Sequence, residues 1–201
     1  MKWLIIWLIG RGVANTFFRA WGFEIGKSLF HHEMVELARC LVWKASQSST
    51  AMVLPQDVVT GSVRFNRIAK VVPSNNIPKN SRALDIGPHT QAHFVSLIAN
   101  AKTIVWNGPM GVYEKTKFRI GTDFVYHAIA ANQEALSVVG GGDTLAAITH
   151  RHLIGEIDHV STGGGALLEF IEKGTLPAIE ALRAQHLKPL NKQISFVKER
   201  I

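Results

Sequence analysis

The residues of this chain with the clearest chemical potential sit in four glycine-rich turns. These are Gly10-Arg11-Gly12, Asn107-Gly108-Pro109-Met110-Gly111, Gly140-Gly141-Gly142-Asp143 and Ser161-Thr162-Gly163-Gly164-Gly165. Glycine lets a backbone come close to a ligand, and three of the turns open directly onto helix-like sequence. The first N–H groups of a helix lack intrahelical partners and lie at the positive end of its dipole. Such turns suit an anion, and the first reading is a nucleotide bound through its phosphates. Asp143 is an acid at one of these helix starts, where the ordinary role of aspartate is an N-cap. For Gly163 to Gly165 a purely structural tight turn is the alternative. Two amide clusters on one sheet edge weigh against it.

The elements that must position these turns are short apolar runs, residues 4–9, 103–106, 136–139 and 157–160, each leading into one turn. Apolar runs without alternation predict strands buried on both faces of a parallel sheet. Their carboxyl ends then share one edge, the edge where open α/β sheets bind ligands. Helices are predicted over residues 14–21, 31–45, 91–100, 122–132, 143–152, 166–172 and 177–185. The second of these gathers Leu29, Met34, Leu37, Ala38, Leu41 and Val42 on one face. A strand is predicted at 51–54, short extended pieces at 58–59 and 69–72, and a polar loop at 73–81. The fold class is α/β, a three-layer, Rossmann-like parallel sheet with helices on both faces. One domain spans 1–185, and 186–201 read as a basic, partly disordered tail.

Composition narrows the function further. With 201 residues and 47% apolar content the chain can bury a core within one domain. Its one cysteine, Cys40, excludes an internal disulfide. Cys40 shares helical spacing with Met34, Leu37, Ala38 and Leu41, which predicts a core thiol, and the implied compartment is reducing and cytoplasmic. The net charge of +7 comes from scattered Lys and Arg without a dense basic run. No nucleic-acid partner is therefore expected, and a phosphorylated small ligand explains the charge as well. Lys2 followed by residues 3–9 superficially resembles a signal peptide. The glycine turn interrupts it at once, and a buried strand is the better reading. No run approaches the roughly 20 apolar residues that span a bilayer, so no membrane partner is expected. Gly10-Arg11-Gly12-Val13-Ala14-Asn15 lacks the third glycine of a dinucleotide fingerprint, which argues against a dehydrogenase. His150, His152 and His159, and His89 with His93 on one helix face, come without a further ligand set and read as solvated histidines.

Several ordered motifs carry a family resemblance. Leu84-Asp85-Ile86-Gly87-Pro88, the run from Thr103 to Glu114, Val138-Val139-Gly140-Gly141-Gly142-Asp143-Thr144 and the run from His159 to Ala166 resemble the nucleotide-binding half of the phosphoglycerate kinases. Ala14-Asn15-Thr16-Phe17 and Gly26-Lys27-Ser28 fit in the same order, and the resemblance covers about residues 8–182. It implies reversible phosphoryl transfer between ATP and the carboxylate of 3-phosphoglycerate, with ATP/ADP and Mg2+ as cofactors. A carboxylate nucleophile is already ionised at neutral pH, so catalysis reduces to positioning and charge stabilisation. By the resemblance, the amides of Gly141, Gly142 and Thr144 face the nucleotide phosphates, and the Asp143 carboxylate holds magnesium directly or through water. Glu114 is placed on the ribose hydroxyls, with an exposed loop acid as the alternative. Asn107 and residues 109–112, Pro109 and Val112 included, line the nucleotide cleft. Gly163, Gly164 and Gly165 lie near the transferring phosphoryl group, where developing charge can be stabilised.

The departures from the family pattern matter as much. The resemblance implies an N-terminal domain that binds phosphoglycerate through basic residues, including a catalytic arginine, and an opening strand and loop with phosphate-contacting lysines. These have no counterpart in the chain, so 3-phosphoglycerate is a partner only if that domain is supplied. Arg11 stands in the middle of what is usually a triple glycine, near the expected adenine pocket, and Ala83 replaces another frequent glycine beside it. Two readings stay open. One is the ATP/ADP-binding half of the kinase, inactive as an isolated chain; the other is a non-catalytic nucleotide-binding or interaction module, or a decayed fragment.

Overall fold

The computed structural model describes residues 4–62, 69–148 and 151–186. The chain is mixed α/β, with parallel sheets flanked by helices. In order, the elements are β1 (Ile5–Leu8), α1 (Arg11–Ala20), α2 (Val35–Ser46), β2 (Thr50–Val53), β3 (Asp57–Ser62), β4 (Lys70–Pro73), β5 (Ser81–Ile86) and α3 (Pro88–Ala99). They continue with β6 (Thr103–Asn107), α4 (Ile120–Ala131), β7 (Leu136–Gly140), α5 (Gly142–Ala147), β8 (His159–Ser161), α6 (Gly164–Lys173) and α7 (Pro177–His186).

Each of the four apolar runs becomes a strand, and every strand that precedes a glycine turn sits in a parallel ladder. β1 pairs with β2, and β6-β7-β8 form the second parallel sheet. A third sheet, β4-β3-β5, is antiparallel, with an irregularity between Val59 and Thr60. Its strand β5 begins at Ser81, the last residue of the predicted loop 73–81. Ser81, Arg82 and Asp85 interrupt its apolar residues, so the sequence pattern does not mark it.

The helices match prediction closely, with ends extended or trimmed by a few residues. The helix predicted over 143–152 ends at Ala147; a 3-10 turn occupies Arg151–Glu156, and His150 lies outside the described residues. Residues 187–201, most of the predicted tail, also lie outside them, as do Lys2 and Trp3. The start of α3 is closed by a side chain from a distant strand. Asp57 of β3 accepts from the His89 and Thr90 amides at 3.1 and 2.8 Å, closing the first turn of α3 behind Pro88. Ser137 and Asp158 tie β7 to β8: the Ser137 amide and hydroxyl both donate to the Asp158 carboxylate at 2.8 Å. These two bonds hold Asp158 below the usual carboxylate range.

The main core lies between α3, α4 and the sheet β6-β7-β8, with Phe94, Trp106, Val125, Tyr126, Ile129 and Val139 at its centre. A second cluster joins α1 to β2 and β3 through Phe17, Phe18, Ile25, Leu54 and Val58. Two expectations fail at the chain's first third. β1 is a strand but not a buried one, with Ile5 53% and Trp7 59% exposed. Among the described residues, one edge of β1 pairs with β2 and neither face is fully covered. Cys40 is exposed and is not a core thiol. α2 turns Val35, Ala38 and Val42 inward, and this rotation carries Cys40, Met34, Leu37 and Leu41 toward solvent.

Candidate functional site

Ladder register brings three of the glycine turns level. Asn107 pairs with Gly140 across β6-β7, and Gly140 with Ser161 across β7-β8. The turns therefore leave the sheet at one edge, and α5 and α6 start there side by side. Gly141 has φ +98°, a left-handed conformation that favours glycine. A Cβ on Gly164 would stand 2.7 Å from the Gly141 Cα, so the two turns touch backbone to backbone. Asn107 spans them, its Nδ2 donating to the Gly164 carbonyl at 3.1 Å. The fourth turn joins the same edge, since a Cβ on Gly10 would meet Met110 Sδ at 2.7 Å.

Two helix N-termini thus converge. The first intrahelical bonds are Leu145 N to Gly141 O at 3.0 Å and Leu167 N to Gly163 O at 2.8 Å. Helix geometry leaves the amides of Gly142, Asp143 and Thr144 in α5, and of Gly164, Gly165 and Ala166 in α6, without carbonyls from their own helices. The Gly141 amide differs, because it donates to the Ser161 carbonyl at 3.2 Å. Asp143 is not the N-cap. The cap is Gly141, Asp143 is the second residue of α5, and its exposed carboxylate forms no cap bond. That carboxylate is available to a ligand at the convergence.

The loop that follows β6 is pinned by hydroxyls that the sequence reading did not single out. Thr144, fully buried, accepts from the Gly108 amide at 2.7 Å. Thr122 of α4, 1% exposed, accepts from the Met110 and Gly111 amides at 3.1 and 3.3 Å. Val112 donates its amide to the Leu84 carbonyl of β5 at 2.8 Å. Arg119 makes a bidentate pair with Asp123 at 2.9 and 3.1 Å and donates to the Ala147 carbonyl at 2.9 Å, which raises its pKa through the Asp123 bond. It also reaches the Tyr113 carbonyl at 3.3 Å, so one guanidinium links this loop to the end of α5. The i,i+4 spacing of Arg119 and Asp123 was the available sequence signal. Pro109 is buried, Val112 half-buried, and Asn107 and Glu114 exposed. Glu114 sits at the far end of this pinned loop and makes no ion pair among the described residues.

A cleft opens where the first turn meets β5, lined among others by Arg11, Asn15, Pro55, Ala83, Asp85 and Met110. Arg11 and Ala83, the two departures from the family pattern, share this cleft. Arg11 has φ +49°, the left-handed region, and is exposed. Asp85 lies beneath the cleft at 4% exposure, with its carboxylate accepting from the Gly121 and Ile86 amides at 2.8 and 2.9 Å. Burial pushes its pKa up to about 7, against the pull of those two bonds.

No group of three or more His, Cys, Asp or Glu side chains could hold a metal alone among the described residues. Magnesium keeps several waters and takes one or two carboxylates plus substrate phosphates. Asp143 is an exposed carboxylate beside the convergent amides.

The family model for phosphoglycerate kinase matches residues 6–174. The chain is 44% identical over 176 residues to the phosphoglycerate kinase of Moorella thermoacetica, covering 87% of this chain and 44% of that protein. It is 46% identical to the Thermus thermophilus phosphoglycerate kinase, covering 87% and 45%. Among solved structures, the phosphoglycerate kinase from Coxiella burnetii superposes with a TM-score of 0.81 at 42% identity, covering 87% of this chain and 45% of that one. The Pyrococcus horikoshii phosphoglycerate kinase gives 0.73 at 32% identity, covering 88% and 44%. The chain spans less than half the length of each of these relatives. No helix among the described residues is long and apolar enough to cross a membrane.

Proposed function

The chain belongs to the phosphoglycerate kinase family, and from that premise we propose that it is the ATP/ADP-binding half of such a kinase. It takes the nucleotide phosphates at the convergent starts of α5 and α6, with Asp143 as the protein's ligand to Mg2+. Phosphoryl transfer to 3-phosphoglycerate follows only when a phosphoglycerate-binding domain is supplied. The observation that carries this reading is the backbone contact of Gly141 with Gly164, which aims two sets of helix-start amides at one point. The amides of Gly142 and Thr144 suit the nucleotide phosphates, and those of Gly164 and Gly165, with Gly163 as the hinge before them, suit the transferring group. The Gly141 amide is taken by Ser161, so Gly141 serves through its conformation. Asn107, Pro109, Val112 and Glu114 belong to the pinned loop on the nucleotide side, with Glu114 toward the ribose. Bound magnesium supplies charge neutralisation on the phosphates; the chain supplies position.

Calorimetric titration of the full chain with ADP and MgCl2 tests the reading. Weak binding is expected, reduced in Asp143→Ala by about 1–3 kcal/mol, the scale of a charge-assisted contact. Equal affinities would remove Asp143 from the site, and no heat in either protein would overturn the nucleotide reading altogether.

A non-catalytic module is the second reading, and Arg11 favours it. A long side chain on a left-handed backbone stands at the cleft where the family pattern has glycine. Absence of turnover even with a phosphoglycerate-binding domain added from a related kinase would select this second reading.

A further inference from the structure

Arg119 stands outside every glycine turn, yet it bonds to both segments to which the nucleotide reading assigns the ends of the ligand. The residue lies at the junction of a 3-10 turn, Thr116–Phe118, and α4, whose N-cap position it occupies. Its guanidinium presents N–H donors in a planar, rigid fork. Nε and Nη2 donate to the two carboxylate oxygens of Asp123, one turn on in α4, at 2.9 and 3.1 Å. This pair fixes the plane of the fork in a sheltered place, with the two side chains 19% and 25% exposed. From that plane Nη2 also donates to the Ala147 carbonyl at 2.9 Å, and Nη1 to the Tyr113 carbonyl at 3.3 Å.

Each of these carbonyls belongs to a segment that depends on outside anchors. α5 has six residues, Gly142–Ala147, far short of the roughly 12 at which an isolated helix becomes marginally stable. Its first turn is fixed by the Thr144 hydroxyl, which accepts from the Gly108 amide at 2.7 Å. Its last turn ends in carbonyls without donors from the helix itself, and Arg119 brings a donor and a positive charge to one of them. The loop after β6 is fixed by Thr122 as far as Gly111, and by Leu84 at Val112. Glu114 lies beyond those anchors. It sits between Tyr113, whose carbonyl Arg119 holds, and Lys115, whose amide returns to the Val112 carbonyl at 3.0 Å. One rigid fork therefore reaches from the neighbour of Glu114 to the helix that carries Asp143.

We propose that Arg119 is a positioning residue for the nucleotide site, a strut that fixes the separation between its Glu114 side and its Asp143 side. The inference rests on the nucleotide reading above. Arg119 acts through the Tyr113 and Ala147 carbonyls and not through contact with the ligand. A nucleoside diphosphate uses both sides, and it gains from a fixed separation because less ordering is left to the moment of binding. Pyrophosphate is confined to the helix starts and gains little, since Thr144 and the Gly141 amide hold the first turn of α5 without Arg119.

The test titrates the full chain in MgCl2 with ADP and with inorganic pyrophosphate by calorimetry. Arg119→Met keeps an unbranched stem and removes every donor. Its ADP affinity should fall by about tenfold, the scale of a lost charge-assisted contact, while its pyrophosphate affinity stays within about twofold of wild type. Glu114→Gln should weaken ADP binding in the wild-type background and add little in the Arg119→Met background, because a displaced Glu114 has little left to lose. That cycle uses ADP alone and decides the matter even where pyrophosphate binds too weakly to follow. Arg119→Lys keeps the charge without the fork and should show the same selective loss, so it carries the test if the methionine variant does not fold. Equal losses for ADP and pyrophosphate would overturn the proposal by showing a general structural role. An unchanged ADP affinity, a Glu114→Gln substitution without effect in the wild type, or full additivity of the two substitutions would overturn it as well. Binding of neither ligand to the wild type would remove the nucleotide reading itself, and the proposal with it.

Discussion

Asp85 offers the most direct measurement of what this site costs the fold. Its carboxyl is 4% exposed, and its pKa rises from 3.8 to about 7 mainly through burial. In the folded chain it therefore holds its proton to a higher pH than in the unfolded chain. The stability it contributes is fully present below the unfolded value of 3.8, falls as pH rises, and levels off above about 7. About three pKa units at about 1.4 kcal/mol each make the fall on the order of 4 kcal/mol. Asp85→Asn cannot ionise. It keeps one oxygen for either the Gly121 or the Ile86 amide and gives up the other bond, a pH-independent cost of about 1 kcal/mol. Urea unfolding of both proteins across this range isolates the effect, because other carboxylates, Asp158 among them, titrate alike in each. The wild type should lead at low pH, and the variant should overtake it near neutrality. A stability difference that stays constant from about pH 4 to pH 8 would refute the reasoning, since it would mean that Asp85 is ionised throughout.

Three further outcomes follow from the same geometry. Arg11→Gly relieves a left-handed conformation that costs roughly 1–2 kcal/mol, so thermal unfolding should move up by about 2–8 °C. ADP should also bind more tightly, and unchanged values of both would show that neither strain nor the side chain matters at the cleft. Gly164→Ala places a Cβ 2.7 Å from the Gly141 Cα and must separate the two turns. The loss in urea stability should be about 1–3 kcal/mol, with ADP binding abolished, whereas Gly165→Ala, whose Cβ meets open space, should fold as well as wild type. In a coupled assay with ATP and 3-phosphoglycerate the isolated chain should show no turnover. One cation on the transferring group is worth about 10³-fold or more, and the chain spans less than half the length of its relatives. Turnover abolished by Asp143→Ala would contradict this.

Local sequence determined the strand runs, the glycine turns, the family and nearly every helix. Those signals depend on neighbours in the chain: apolar runs of four or five residues, and glycine where φ is positive, as at Gly141. The antiparallel strand β5 was not legible, because the bonds that bury Asp85 within it include one from a distant helix. Asp85 accepts amides from Ile86 and from Gly121 of α4, and Ser81 accepts from Lys27 through its carbonyl at 2.8 Å. The fates of Asp143, Thr122 and Thr144 were equally hidden. Whether Asp143 caps or stands free depends on the start of α5, and the threonine hydroxyls accept amides 11 to 36 residues away in sequence.

Burial was the quantity that periodicity misjudged. Cys40 and the stripe of Met34, Leu37 and Leu41 have core spacing, and β1 has the composition of a strand covered on both faces. A period states which side chains share a face; it does not state that another element covers that face. The sequence by itself determined the list of elements and the turns able to hold an anion. Only the tertiary structure decided that Gly141 and Gly164 touch, that Asp85 is buried beneath the Arg11 cleft, and that β1 and β6 are not ladder partners among the described residues. Contact and desolvation depend on what chain segments far apart in sequence bring to the same place.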